Sequence, residues 1–226
     1  MLSIEIHKRF VSKRREVNID YSVSINSSVT TALYGKSGVG KSSVLRMIAG
    51  LETPESGNIV FNDEQWFSST EKINIPIAKR KLGFVFQDYN LFPNMTVAGN
   101  LKYASENGKI PERISGLLNS AGLASLMDAY PDELSGGQRQ RIALLRALCQ
   151  EPELLLLDEP FSALDDEAIA ELIKEIKRIQ ESLNTTIIVV SHRKDVIFKM
   201  ADYVVHLKPN GEVEHGKPED TLERDF

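Results

Sequence analysis

A glycine-rich stretch near residue 40 is the feature that most constrains how this chain can fold. The residues GKSGVGKS occupy 35–42, directly after an apolar run at 29–34. Glycines at these spacings let successive backbone N–H groups face inward, and a helix that follows adds its own free N–H groups. The stretch is therefore typical of a phosphate-binding loop, or P-loop, between a buried strand and a helix. We expect nucleotide phosphates to be bound by Gly35, Lys36, Ser37, Gly38, Val39, Gly40, Lys41, Ser42 and Ser43.

Two residues of the P-loop have chemistry of their own. Lys41 can place a positive charge between the β- and γ-phosphates, and the hydroxyl of Ser42 can ligate Mg²⁺. A glycine-rich turn formed by chance is the alternative interpretation. The apolar run before the loop and the helical pattern over 39–50 both argue against it.

Four apolar runs, at 29–34, 82–86, 153–158 and 185–191, predict the main sheet. Near-continuous runs of this length are typical of strands buried on both faces of a parallel sheet. Ligands of such sheets bind at the carboxyl ends of the strands. Because Asp158 ends the third run, we expect it to hold Mg²⁺ there, since this ion prefers oxygen ligands. The adjacent Glu159 is the candidate base that polarises the attacking water.

The remaining segments differ in character. Between 87 and 150 the pattern is helical, broken by glycine and proline, which suggests an inserted helical subdomain. The stretch 57–67 predicts a hairpin that turns at Asn62 and Asp63, and 167–183 predicts a long helix capped by Asp165 or Asp166. The basic cluster at 79–81 is interpreted as a solvated loop, and the single cysteine, Cys149, as a buried thiol.

A second glycine-containing motif, LSGGQ, occupies 134–138 and is called the signature segment below. One interpretation is a helix start in which Ser135 is the N-cap and Gln138 its capping-box partner. The other is that the free N–H groups of this helix start face a phosphate, with the paired glycines allowing close approach. The segment consists of Leu134, Ser135, Gly136, Gly137 and Gln138.

Taken together, the P-loop, the signature segment and LLLLDEP at 154–160 resemble the ATPase subunits of ATP-binding cassette (ABC) transporters. The resemblance covers nearly the whole chain, 1–226, and implies an α/β P-loop NTPase fold. It has a RecA-like parallel core, an N-terminal antiparallel β subdomain and an inserted helical subdomain. The core with its β subdomain would take 1–87 and 151–226, and the helical subdomain, with the signature segment, 88–150.

The resemblance also implies roles for individual residues. Gln87, which ends the second run, would contact Mg²⁺ and the attacking water, and His192, after the fourth run, would sense the γ-phosphate of ATP. The signature segment would act in trans, on ATP held by a second copy. Phe10 is the candidate that stacks on adenine, although an ordinary strand-end phenylalanine fits as well. A loop crossing the dimer interface, here the dimer loop, would comprise Ser162, Ala163, Leu164 and Asp165.

The resemblance implies ATP and Mg²⁺ as ligands, and three kinds of protein partner. These are a second, identical ATPase subunit, transmembrane permease subunits and, indirectly, a substrate-binding protein. The chain would act in the cytoplasm, on the inner face of the membrane. No run is long enough to span a bilayer, the N-terminus lacks a signal-peptide pattern, and the net charge of −5 argues against nucleic acid.

Several strings, among them GFVFQDYNLFP, are similar to ATPase subunits of molybdate importers. Uptake of molybdate or a related oxyanion is therefore the leading expectation, with iron, sulfate and polyamine as alternatives. The C-terminal regulatory domain of many such subunits is expected to be absent, because only a short charged tail follows the last strand-like run. A cassette ATPase acting on DNA or the ribosome and a small-molecule kinase are the other classes. The first would be expected to have long insertions, zinc-binding cysteines or two cassettes, and the second does not account for LSGGQ.

Overall fold

Parallel strands form the centre of the larger of two sheets. This computed structural model describes residues 1–12, 15–162, 164–208 and 212–222, and within them the larger sheet has the order β11-β10-β3-β9-β8-β7. The pairs among β10, β3, β9, β8 and β7 are parallel, and β11 joins antiparallel. The strands are β3 (Thr30–Tyr34), β7 (Leu82–Val85), β8 (Leu154–Asp158), β9 (Thr186–Val190), β10 (Tyr203–Leu207) and β11 (Val213–Gly216).

The smaller sheet is antiparallel and has the order β2-β1-β4-β5-β6 in the same described residues. The turn between β4 and β5 lies at Asn62 and Asp63, whose φ angles of 47° and 66° suit a tight hairpin turn, as the sequence predicted. Its strands are β1 (Leu2–Ser12), β2 (Arg15–Ile25), β4 (Ser56–Phe61), β5 (Glu64–Ser68) and β6 (Ile73–Asn74).

Seven α-helices lie in the described parts of the chain, and three of them fall between β7 and β8. No helix in these parts is both long and apolar enough to cross a membrane. The helices are α1 (Lys41–Ala49), α2 (Val97–Ala104), α3 (Glu112–Ser120), α4 (Gly136–Leu148), α5 (Asp166–Leu183), α6 (Lys194–Met200) and α7 (Pro218–Leu222).

Successive side chains of β8 point to opposite faces of the sheet and belong to two separate core clusters. Leu155 and Leu157 pack with helices α4 and α5 on one face of the sheet, whereas Leu154 and Leu156 pack with α1 and the smaller sheet on the other. All four leucines are fully buried, as expected for a parallel strand covered on both sides. The predicted fold class, a P-loop NTPase with a parallel core and an antiparallel β subdomain, is confirmed.

Two local predictions were wrong. Arg80, expected in a solvated loop, is 4% exposed and donates hydrogen bonds to the carbonyls of Met47 and Trp66. The carbonyls at the end of α1 need donors that the helix cannot supply, and the Arg80 guanidinium provides one. Burial lowers the pKa of Arg80 to about 10.

The second wrong prediction concerns Gln87. It does not end a strand, because the pairing of β7 with β8 stops at Val85. Cys149 is buried, as predicted.

A half-buried carboxylate lies where α5 meets the helices that precede β8. Burial raises the pKa of Glu175 to about 7, against the opposing attraction of Arg141 and Arg178 and with a small contribution from Glu171. The native state therefore holds this proton more tightly than the unfolded chain does. Glu175 therefore contributes a decrease in the free energy of unfolding as pH rises from about 4.5 towards 7.

We expect Glu175→Gln to stabilise the protein at pH 8 and to leave its stability unchanged near pH 4. Each 1 kcal/mol gained would raise the Tm by about 2–4 °C. Thermal unfolding followed by circular dichroism at both pH values measures the difference. Glu181→Gln, at an exposed position of the same helix, is the control. Equal melting temperatures of wild type and Glu175→Gln at pH 8 would contradict this assignment.

Candidate active site

The P-loop connects β3 to α1 through backbone conformations that glycine permits. Gly40, the N-cap of α1, has φ 108°, and Gly35 has φ 151°. A Cβ on Gly35 would lie 2.4 Å from the carbonyl oxygen of Leu207, and one on Gly40 would lie 2.6 Å from Cδ1 of Ile19. The loop can therefore pack against β10 and β2 only without side chains at these two positions.

Lys41 folds back onto its own loop. Its Nζ donates to the carbonyl oxygens of Gly35, at 2.8 Å, and Lys36, at 3.2 Å. Burial lowers the pKa of Lys41, while the nearby carboxylates of Glu159 and Asp158 oppose that effect. The ammonium is thus held at the loop without a carboxylate bonded to it. This arrangement leaves its charge available to an anion in the loop.

The Ser42 hydroxyl donates to Oδ1 of Asp158 at 2.8 Å. Asp158 is 3% exposed at the end of β8, and Ser42 is in the first turn of α1. The two side chains meet because β8 and β3 are parallel and end at the same edge of the sheet. A hydroxyl and a carboxylate are hard oxygen ligands, so the donor set fits Mg²⁺.

Glu159 and His192 are also in contact. The backbone of Glu159 has φ 50°, and its amide donates to the carbonyl of Val190 on β9. This conformation turns its side chain to within 2.9 Å of His192 Nδ1, measured from Oε2. The Glu159 side chain is 17% exposed and that of His192 is 65% exposed. Glu159 therefore adopts an uncommon left-handed conformation, and its carboxylate contacts His192.

One open cavity of about 500 Å³ is lined by eleven residues, all of them predicted for the site. P-loop residues line it together with residues at or near the ends of several strands. Gly35, Lys36, Val39 and Asp158 belong to the loop or its neighbours but do not line it. The lining residues are Phe10, Ser37, Gly38, Gly40, Lys41, Ser42, Ser43, Gln87, Glu159, Ser162 and His192.

The signature segment does not line this cavity in the described chain. The Ser135 hydroxyl accepts from the amide of Gln138, whose side chain in turn accepts from the Ser135 amide, so the predicted capping box is present. Leu134 is buried and anchors the segment. A Cβ on Gly136 would meet nothing within 4 Å, and one on Gly137 would meet only Leu164, at 3.3 Å. Packing within this chain therefore does not require a glycine at 136.

The dimer loop lies between the cavity and α5. Ser162 lines the cavity, and Asp165 caps α5 by accepting from the amide of Ala168 at 2.9 Å. Leu164 lies near the signature segment, since a Cβ added at Gly137 would be 3.3 Å from its side chain. Ala163 lies outside the described residues.

An exposed segment at 90–96 is held in place by two side chains that the sequence analysis did not predict. The Asn100 side chain, fully buried, accepts from the amide of Phe92 and donates to three carbonyls of the segment. Arg146 donates to the carbonyls of Tyr89 and Asn90 and lies over the Phe92 ring. Arg146 belongs to none of the motifs, and Asn100 occurs in GNLKY at 99–103, a string similar to importer subunits that pointed to no role for this side chain.

A family of known proteins and several individual relatives are similar to this chain. The family model described as ABC transporter matches residues 19–162. The molybdenum import ATP-binding protein ModC of Methylococcus capsulatus is 39% identical over 97% of this chain and 62% of its own length. The sulfate/thiosulfate import ATP-binding protein CysA of Pseudomonas putida is 43% identical over 90% of this chain and 63% of its own. The chain thus spans about three-fifths of the length of these relatives.

Solved structures match over almost the entire chain. The dimeric structure of the bacterial ABC transporter cassette MJ0796 superposes with a TM-score of 0.81 and 27% identity, covering 96% of this chain and 99% of that one. A dimeric post-hydrolysis state of the same cassette, bound to ADP and Pi, matches equally well.

Proposed function

Because this chain belongs to the ABC transporter family, we propose that it binds and hydrolyses ATP as the energy-coupling subunit of a membrane importer. The observation that carries the proposal is the single cavity that brings the P-loop together with Gln87, Glu159 and His192. A phosphate-binding loop alone would explain nucleotide binding. The carboxylate beside it, separate from the one that would hold Mg²⁺, supports hydrolysis.

The proposed reaction assigns each residue one task. The Lys41 ammonium neutralises phosphate oxygens, and Ser42 and Asp158, with Gln87, would hold Mg²⁺, which supplies further positive charge when bound. The Glu159 carboxylate accepts the proton of the water whose oxygen bonds to the γ-phosphorus. The bond from that phosphorus to the bridging oxygen breaks, and ADP and inorganic phosphate result. His192 keeps the Glu159 carboxylate oriented through their 2.9 Å contact.

We further propose that a second copy of the chain completes the site. The N-terminal turn of α4 offers free amides to an anion, yet the signature segment does not line the cavity of its own chain. The open space beside Gly136 suits close approach by a phosphate held on another subunit. When two chains close on two ATP molecules, the surfaces of the two chains that contact the permease would then move towards each other.

The exposed segment at 90–96 is our candidate surface for the permease. Phe92 is 36% exposed and packs edge-on against Tyr103, itself 67% exposed, so the two rings form an apolar patch. Aromatic residues that remain exposed on a rigid support are typical of binding surfaces. This placement would put the subunit on the inner face of the membrane.

We expect Phe92→Asp to abolish stimulation of ATP hydrolysis by the permease complex while basal hydrolysis of the isolated subunit stays within about twofold of wild type. A charge in a desolvated contact should cost on the order of 2 kcal/mol of binding, about thirtyfold in affinity. Phe198→Asp, at a 43% exposed phenylalanine on α6, is the matched control. Equal loss of stimulation in both variants would contradict the assignment.

The proposed cargo is molybdate or a related oxyanion such as sulfate. Support comes from the relatives named above, which import molybdenum and sulfate or thiosulfate. Purification of the membrane complex, followed by assay of ATP hydrolysis with a binding protein loaded with each oxyanion, tests the proposal. Stimulation by the molybdate-loaded protein is the expected result. Absence of ATP hydrolysis by the assembled complex under every loading would overturn the proposed function.

A further inference from the structure

The residue that follows His192 joins the starts of two helices. Arg193 is the N-cap of α6, and its Nε and Nη2 donate to the two carboxylate oxygens of Asp195 at 3.1 and 2.7 Å. The same Nη2 donates to Oδ1 of Asp166, in the first turn of α5, at 2.8 Å. A two-pronged pair of this kind fixes the orientation of the guanidinium plane. Asp195 therefore orients Arg193, which extends from α6 to the start of α5.

The charges around Arg193 explain why an arginine suits this position. Asp166 and Asp195 each lie in the first turn of a helix, where the helix dipole stabilises a negative charge. Two carboxylates near each other repel, and the positive charge that both of them bind offsets this repulsion. Asp165 is the residue that caps α5, by accepting from the amide of Ala168, so the Asp166 carboxylate is left for Arg193.

The turn that carries Arg193 also belongs to the candidate active site. Ser191 directly follows β9 and is 2% exposed, and its hydroxyl accepts from the Arg193 amide at 3.2 Å. Between these two residues lies His192, whose Nδ1 is 2.9 Å from the Glu159 carboxylate. The turn at 191–193 is thus anchored to the end of the parallel sheet, and it contacts both Glu159 and Asp166.

Both ends of the connection between β8 and α5 are held by this turn. Glu159, at its beginning, contacts His192, and Asp166, just after its end, binds Arg193. The connection contributes Glu159 and Ser162 to the cavity. Because only six residues separate Glu159 from Asp166, the position of one end limits where the other can lie.

We infer that Arg193 is a positioning residue for ATP hydrolysis. By binding Asp166 it fixes the start of α5, and thereby the connection that places the Glu159 carboxylate in the cavity. The inference rests on the proposed function, since hydrolysis is the reaction that this placement assists. Arg193 is not among the residues that line the cavity, so it acts through Asp166 and not on the nucleotide. Its loss should therefore slow the chemical step and leave ATP binding at the P-loop intact.

Steady-state ATP hydrolysis by the full chain tests the inference through a double-mutant cycle. Arg193→Gln and Asp166→Asn should each lower kcat about tenfold, less than the roughly 10²-fold that a 1 Å misplacement can cost. The KM for ATP should stay within about twofold of wild type, because the interaction serves the reaction and not nucleotide binding. The double variant should be no slower than the slower single variant, since both substitutions break the same contact.

Glu167→Gln is the matched control. It removes a negative charge from the same first turn of α5 and should hydrolyse ATP as the wild type does. The side chains of Arg193 and Asp166 are 31% and 87% exposed, so we expect both single variants to melt close to the wild-type temperature. Thermal unfolding followed by circular dichroism checks this before the rates are compared.

The outcomes separate the role of Arg193 from the proposed function. Wild-type kcat in both single variants, or a raised KM with unchanged kcat, overturns the role of Arg193 alone. Losses that multiply in the double variant, or a loss in Glu167→Gln equal to that in Asp166→Asn, do the same, because the contact would then not act as a unit. Absence of ATP hydrolysis by the wild type overturns the proposed function, and the inference with it.

Discussion

We expect Glu159→Gln to slow ATP hydrolysis by roughly 10²–10⁴-fold, the usual contribution of a positioned general base. The amide keeps the size and much of the hydrogen bonding of the carboxylate but cannot accept a proton from water. ATP should still bind, because the P-loop contacts of Lys41 and Ser42 are untouched. Since the nucleotide is then retained unhydrolysed, the variant should accumulate as an ATP-bound dimer.

Phosphate release and nucleotide binding, measured separately, distinguish loss of chemistry from loss of binding. Glu181→Gln, at an exposed position of α5, makes the same chemical change far from the cavity and should hydrolyse ATP at the wild-type rate. Turnover by Glu159→Gln within about twofold of wild type would rule out this residue as the base.

The second large effect is expected at the signature segment. Gly136→Asp should reduce ATP hydrolysis by roughly 10²–10³-fold, comparable to the removal of one donor to a developing charge. A carboxylate at this position would repel the γ-phosphate of a facing subunit and fill the space it needs. Within its own chain the Cβ of the new side chain would meet nothing within 4 Å, and an acidic residue in the first turn of α4 is favourable for the helix. Folding and ATP binding by the monomer should therefore be retained.

Gly116→Asp is the matched control for this variant. Gly116 is also in a helix, α3, and a Cβ there also meets nothing within 4 Å, but the position belongs to no proposed site. We expect Gly116→Asp to hydrolyse ATP at the wild-type rate and Gly136→Asp to lose ATP hydrolysis. ATP-dependent dimerisation of Gly136→Asp at the wild-type concentration would contradict a role for the signature segment between subunits.

The sequence predicted the parts of the candidate site that depend on sheet topology. Asp158 and Ser42 could be placed together because parallel strands end at a common edge, and the hydrogen bond between their side chains agrees with that reasoning. The hairpin turn at Asn62 and Asp63 and the capping box at Ser135 follow from local residue preferences, which act over three or four positions. Both were predictable for that reason.

Features set by contacts between distant segments could not be predicted. Arg80 belongs to a run of three basic residues, and only the folded chain places it under Trp66 and against the end of α1. The contact between Glu159 and His192 depends on a left-handed backbone at Glu159 that its residue type disfavours.

Cross-linking between two differently labelled chains tests the central claim, a site shared by two copies, most directly. One chain carries Glu159→Gln with Ser37→Cys, and the other carries Glu159→Gln with Gly136→Cys. The natural cysteine, Cys149, is 4% exposed and should react little with a short bismaleimide. We predict that a covalent dimer of the two different chains forms with ATP and not without it. Neither chain on its own should form a covalent dimer. Covalent linkage of Ser37→Cys to Gly136→Cys inside one doubly substituted monomer, with no mixed dimer in ATP, would contradict the account.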